Sequence, residues 1–132
     1  MIVVDASAML AVLLTTPAGV PIGERLFADE VQACAPTLLD LEVAQVLRRL
    51  CREGHCSDLR ADQAIQDLGD FALQRFSHEA LLRRVWQLRH NVTAYDAAYL
   101  ALAEALEAPL ITCDARLHRA PGHRARIELF HS

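Results

Sequence analysis

Met1-Ile2-Val3-Val4-Asp5-Ala6-Ser7-Ala8-Met9-Leu10-Ala11-Val12-Leu13-Leu14 changes character at a single residue. Ahead of Asp5, the run Ile2, Val3, Val4 is β-branched and apolar, which suits a short buried strand. Behind it, Ala6 to Leu14 is rich in Ala, Leu and Met and reads as a helix. The carboxylate therefore stands at the carboxyl end of a strand and at the mouth of a helix. Leu110-Ile111-Thr112-Cys113-Asp114 repeats the arrangement, with a short helical turn following through His118. Ligands of an open parallel sheet bind outside the carboxyl ends of its strands, so two strands that each run into an Asp predict a polar site along that edge.

The rest of the chain alternates in the same way. Val20 to Phe27 predicts a helix after the interruption at Pro17 and Gly19, and Val31 to Ala35 predicts a strand stopped by Pro36. From Leu38 to Arg52 the residues Leu39, Val43, Val46, Leu47 and Leu50 fall on one helical stripe, which Gly54 ends. Ser57 is placed to cap a helix over 58–70, and Leu73 to Phe76 reads as a short strand. His78 to His90 predicts an amphipathic helix with Leu81, Leu82, Val85, Trp86 and Leu88 apolar. Thr93 to Glu107 is so rich in Ala and Leu that burial is expected, Pro109 ends it, and Ile127 to Phe130 is the last strand. This pattern predicts an α/β fold: a three-layer α/β/α sandwich with a mainly parallel central sheet, one domain over residues 1–132.

Bulk composition narrows the setting. A hydrophobic content of 53% in 132 residues supports a packed core rather than disorder. The apolar run Ala8 to Leu14 is too short to cross a bilayer, and Asp5 sits where a secretory leader would be apolar, so a cytoplasmic protein without a membrane partner is expected. Cys34, Cys51, Cys56 and Cys113 are then expected as reduced thiols. The cluster around Cys51, His55 and Cys56 lacks a second ligand pair at zinc spacing, and a helix end closed by Gly54 explains it better. The net charge of −4 runs against a nucleic-acid surface unless the acids are gathered around a cation. All 13 basic residues are Arg.

Four acids interrupt apolar surroundings: Asp5, Glu42, Asp96 and Asp114. Each has a plain alternative. Asp5 and Asp114 suit helix N-caps, Asp96 fits a capping pattern begun by Thr93, and Glu42 suits a solvated helix side. The inferred fold brings all four to one edge, however, where unneutralised carboxylates are costly. No Lys is present and only Arg116 lies near them in sequence, so a hard divalent cation that takes carboxylate oxygens and water resolves the conflict.

These residues carry a resemblance. Val4-Asp5-Ala6-Ser7-Ala8 resembles the opening of a PIN domain, and Glu42, in a helix after Pro36, resembles that family's second acid. Thr93-Ala94-Tyr95-Asp96-Ala97-Ala98-Tyr99-Leu100-Ala101-Leu102-Ala103 is similar to its most recognisable stretch, and Leu110-Ile111-Thr112-Cys113-Asp114 to its closing motif. Order, spacing and length fit over essentially the whole chain. The resemblance is to PIN-domain ribonucleases, in particular the VapC-type toxins of VapBC toxin–antitoxin systems. It implies an endoribonuclease dependent on Mg²⁺ or Mn²⁺, an RNA substrate, a cognate VapB-like antitoxin and a homodimer. Asp5, Glu42, Asp96 and Asp114 become the catalytic and metal-binding quartet. Ser7 and Thr112 become hydroxyls that orient a carboxylate or touch the phosphate, and Arg116 a phosphate contact. Two positions depart from the family pattern: Gln45 stands where Asn is frequent, and Arg116 where many members carry another acid, which leaves one or two metals open.

On this view the metal polarises the scissile phosphate and activates a water, with Glu42 or Asp114 holding that water or its metal. Arg48, Arg49, Arg52 and Arg116 are the candidate backbone contacts. His90 and His118 are not required. Two other classes compete. A PIN-like module acting only through protein contacts would be favoured by a broken acidic set. Another acidic α/β phosphohydrolase or receiver domain would want an acid where Ser7 stands, or a Lys late in the chain.

Overall fold

A computed structural model of the chain describes residues 1–131; Ser132, the last residue of the expected domain, lies outside them. Among these residues the order is β1 (Ile2–Val4), α1 (Ala6–Leu13), α2 (Gly19–Leu26), β2 (Ala33–Pro36), α3 (Leu38–Arg52), α4 (Asp58–Asp70) and β3 (Leu73–Phe76). A 3₁₀ turn at Glu79–Leu81 leads into α5 (Leu82–Gln87), followed by α6 (Ala94–Leu106), β4 (Leu110–Thr112), α7 (Ala115–Arg119) and β5 (Ile127–Leu129). Among the described residues no helix is long and apolar enough to cross a membrane.

The sheet runs β3-β2-β1-β4-β5, and every pairing is parallel. Parallel strands need covered faces, which the short apolar strands already imply. Val3, Val4, Cys34, Ala35, Leu110 and Ile111 are buried. Helices α1 to α4 pack against one another, while α5 packs on α6 and α6 lies across β1, β2 and β4. Small side chains allow that close approach, and Ala97 to Ala103 of α6 are all buried. The α1–α2 corner is equally tight: a Cβ at Gly19 would fall 2.2 Å from the Ala11 carbonyl oxygen.

Strand order reverses between β1 and β4, since β2 and β3 are added on one side and β4 and β5 on the other. A crevice forms at such a switch point. Register fixes what faces it. Val3 pairs with Leu110 and Val4 with Ile111, and the Asp5 amide donates to the Ile111 carbonyl at 3.1 Å. The next residues in line are Asp5 and Thr112.

Two expectations are corrected in detail. Val31 precedes β2, which begins at Ala33. His78 to His90 is not one helix, because its first turn is 3₁₀ and the α-helix covers only Leu82–Gln87. Leu81, Val85 and Leu88, spaced i, i+4, i+7, are the buried stripe. Leu82 and Trp86, one position further round, are 60% and 65% exposed. The Arg89 guanidinium instead covers the Trp86 ring, 4.5 Å from its centroid.

A polar network that the sequence did not announce ties α5, α6 and the strand β5 approach together. Glu104, its side chain 2% exposed, accepts a bidentate pair from Arg84 (2.7 and 3.1 Å) and the Arg124 amide (2.9 Å). Burial alone would raise the Glu104 pKa, but these donors and the charges of Arg84 and Arg124 hold it below the ordinary glutamate value. Removing the carboxylate strands the half-buried Arg84 guanidinium and the Arg124 backbone donor. Glu104→Ala is therefore expected to cost about 2–4 kcal/mol in urea unfolding. Arg124→Ala, which removes an exposed guanidinium 3.8 Å from Glu104, should cost under about 1 kcal/mol. Equal losses would remove the network from its place in the fold.

Candidate active site

Asp5 is the best-anchored of the four acids. It is 6% exposed and caps α1 by accepting from the Ala8 amide at 2.9 Å. Ser7 Oγ donates to its Oδ1 at 2.7 Å, and Thr112 Oγ1 donates to Oδ2. Ser7 Oγ in turn accepts from the Cys113 amide at 2.9 Å, and Thr112 Oγ1 accepts from the Asp114 amide at 2.9 Å. The two hydroxyls thus stitch the end of β1 to the end of β4 and fix the Asp5 carboxylate in the plane of the switch point.

Asp114 caps α7, accepting from the Arg116 amide at 2.8 Å, and its Oδ2 lies 3.6 Å from Arg116 Nη2. Asp96 occupies the first turn of α6, where its amide donates to Thr93 Oγ1 at 3.2 Å. Glu42 projects from α3 and accepts from the Tyr99 hydroxyl at 2.6 Å. Capping and site membership are thus compatible: Asp5 and Asp114 cap helices whose mouths open on the same crevice.

The four carboxylates feel one another. Burial raises the pKa of Asp5, and the charge of Asp114 adds to it against three hydrogen bonds that lower it. Burial likewise raises Glu42, with Asp96 and Asp5 pushing the same way and the Tyr99 bond opposing. Asp96 is raised by burial and by Asp114, with Arg116 pulling down. Tyr99 is held strongly protonated by burial and by its bond to Glu42. Among the described residues, no three of His, Cys, Asp and Glu stand close enough to close directly around a metal ion. The donor set nevertheless fits a hard divalent cation: it is all oxygen and short of positive charge. Mg²⁺ commonly takes one or two carboxylates and keeps several waters.

Tyr99 is the residue that reading the sequence passed over. It lies three residues after Asp96, hence on the same side of α6, and that spacing was the available signal. The arginines nominated on α3 fare differently from Arg116. Arg48, Arg49 and Arg52 are exposed and line neither cavity that borders the acids. One of these cavities, about 350 Å³, is mainly apolar and runs along Leu38, Leu41, Gln45, Val46 and Tyr95 beside Glu42. The other, about 710 Å³, opens at Asp96 and Arg116.

The PIN domain family profile matches residues 2–123, so the chain belongs to the PIN domain family. Within that class it is similar to Ribonuclease VapC12 of Mycobacterium tuberculosis, 40% identical over 129 residues that cover 98% of each chain. Ribonuclease VapC1 of the same organism is 41% identical, with 96% of each chain covered. Solved structures with the same fold include VapBC2 from Rickettsia felis bound to a DNA fragment from its promoter, at a TM-score of 0.71 and 15% identity over 98% of this chain and 99% of that one. VapC20 of M. tuberculosis, described as a sarcin-ricin loop cleaving toxin, superimposes with a TM-score of 0.65 at 18% identity over 92% of this chain and 100% of that one.

Electrostatics gives a signed expectation. A carboxylate raised in the folded state contributes stability below its unfolded pKa and loses it as pH rises through the folded value. In chelator, Asp5 therefore destabilises the protein progressively above about pH 4. Asn keeps the α1 cap, and the Thr112 hydroxyl can turn to accept from its amide. Asp5→Asn should melt a few degrees above wild type in chelator, with a gap in thermal melts that widens as the pH rises above about 4. A gap that does not change with pH would sink this account. Tyr99→Phe removes the donor that holds Glu42 while keeping the ring in the core. It should leave the fold intact and cut RNA cleavage at least about tenfold, as expected for loss of a positioning hydrogen bond to a charged group.

Proposed function

We propose that this chain is a metal-dependent endoribonuclease that acts as the toxin of a toxin–antitoxin pair in the cytoplasm. The observation that carries it is the gathering of Asp5, Glu42, Asp96 and Asp114 at the switch point of a PIN fold, three of them with pKa values raised by burial and by the charge of a neighbouring acid of the set. Full-length similarity to curated ribonucleases named VapC supports the activity, and neighbours solved as VapBC assemblies support a VapB-like partner. The apolar cavity beside Glu42, with Leu41 and Tyr95 exposed at its rim, is a suitable seat for a segment of that partner.

Asp5, Asp96 and Asp114, with Glu42, are the residues that would hold Mg²⁺ or Mn²⁺. When bound, such a cation supplies charge neutralisation and Lewis acidity toward a phosphodiester. The chain's own groups do the rest. Ser7 and Thr112 keep the Asp5 carboxylate from rotating. The Tyr99 hydroxyl occupies Glu42 Oε1 and leaves Oε2 either to hold the cation or to take a proton from an attacking water, the second role suited to a carboxylate whose basicity is raised. Arg116, 3.6 Å from Asp114, presents a guanidinium at the same edge to a phosphate oxygen.

Purified protein is expected to cleave RNA with Mg²⁺ or Mn²⁺ and to lose all cleavage in EDTA; robust cleavage in excess chelator overturns the metal requirement. On expression in a bacterial host, Asp96→Asn should abolish toxicity, while Asp70→Asn, an exposed residue at the end of α4, should not. The two variants remove the same charge, so a toxic Asp96 variant would count directly against the site.

A further inference from the structure

The cavity of about 710 Å³ at Asp96 has a chemistry unlike the rest of the surface. It is walled by the α5–α6 turn on one side and by α7 with the following Pro121 on the other. Arg89, His90, Asn91, Asp96, Arg116 and Arg119 line it. Three guanidinium groups against one carboxylate give it a local surplus of two positive charges in a chain of net charge −4. Elsewhere Arg25 is paired with Glu128, Arg75 with Asp40, and Arg84 and Arg124 with Glu104, while the other unpaired arginines, Arg48, Arg49, Arg52, Arg60, Arg83 and Arg126, line neither cavity beside the acids. Arg89 and Arg119 form no ion pair among the described residues.

The walls are also built rather than incidental. Asn91 packs over Gly122, whose φ is +89° and whose Cβ, were there one, would lie 2.1 Å from Asn91 Nδ2. Arg84 reaches from α5 to the Gly122 carbonyl at 3.3 Å while its other contacts hold Glu104. Arg89 is oriented by the Trp86 ring beneath it and by donation to the Trp86 carbonyl at 3.0 Å, not by an acid, so its remaining N–H groups stay available.

We infer that this groove binds the phosphates of single-stranded RNA on one side of the scissile bond, with Arg89 and Arg119 as positioning residues and Arg116 joining the groove to the carboxylates. The inference deepens the nuclease reading and rests on it for the placement of the scissile bond. Phosphate contact by arginine is recognised by its salt dependence, each contact adding about one to the slope of log affinity against log salt.

The test measures binding of a labelled single-stranded oligoribonucleotide of about twelve nucleotides, in chelator so that no metal-dependent cleavage intervenes. The double variant Arg89→Gln/Arg119→Gln is expected to bind about tenfold more weakly at low salt, with the salt slope reduced by about one to two. Arg48→Gln/Arg52→Gln removes the same charge from α3 and should leave both quantities near wild type. Arg119→Glu, a single exposed change, should weaken binding further than loss of the charge alone and serves if the double variant melts early. Unchanged affinity and slope in the groove variants overturn the inference. So do equal losses from the α3 pair, or displacement of the RNA by a polyglutamate peptide of matched charge, since either marks a general polyanion surface. Cleavage by wild type with Mg²⁺ is scored separately, so the nuclease reading and the groove fail independently.

Discussion

The hydrogen bond from Thr112 to Asp5 joins the two central strands at the point where the sheet changes direction. A parallel sheet leaves its strand ends without backbone partners in line, and a carboxylate set there must either face water or be satisfied by side chains. Asp5 is satisfied three times, by the Ala8 amide, Ser7 and Thr112, and two of those donors are themselves pinned by amides of the β4–α7 connection. The identities of residues 5, 7 and 112 are therefore coupled. Removing either hydroxyl would leave a buried anion underbonded and free the β4–α7 turn that carries Asp114.

That bonding makes the burial of Asp5 tolerable without making it favourable. Desolvation still outweighs three hydrogen bonds, and the neighbouring acids add repulsion to Glu42 and Asp96 as well. The fold absorbs this cost where it is strongest: in the buried alanine-rich face of α6, the tight α1–α2 corner at Gly19 and the Glu104 network. A site strained in isolation and relieved by a bound cation is an arrangement that favours ligand binding over free-state stability.

Much of this was legible in the chain because the signals were local. Strand-then-Asp-then-helix at residues 2–14 and 110–118 set both the sheet and its polar edge, and the breakers at Gly54 and Pro109 set element ends close to where they fall. What was hidden depended on pairing across long separations. Tyr99 looks like one more buried aromatic until Glu42, 57 residues earlier, is placed against its hydroxyl. Glu104 reads as a surface acid in an Ala/Leu helix, yet two arginines from either side enclose it. The outward placement of Leu82 and Trp86 follows from the i, i+4, i+7 stripe of Leu81, Val85 and Leu88, which an apolar-rich segment masks because both rows look hydrophobic.

The charge of the molecule looks different once its arginines are placed. Taken over the whole chain, −4 argues against a polyanionic partner. Several acids, however, are spent on arginines within the fold, and others form the crevice that a cation would neutralise. Around the acids the surroundings are uneven: guanidinium groups border them on the Asp96 side, while Leu41, Val46 and Tyr95 border them on the Glu42 side. A single carboxylate set flanked by one basic and one apolar concavity presents different chemistry to a nucleic-acid strand and to a protein segment. The two surfaces share no lining residue, and a partner seated on the apolar flank beside Glu42 would obstruct the centre without having to imitate RNA.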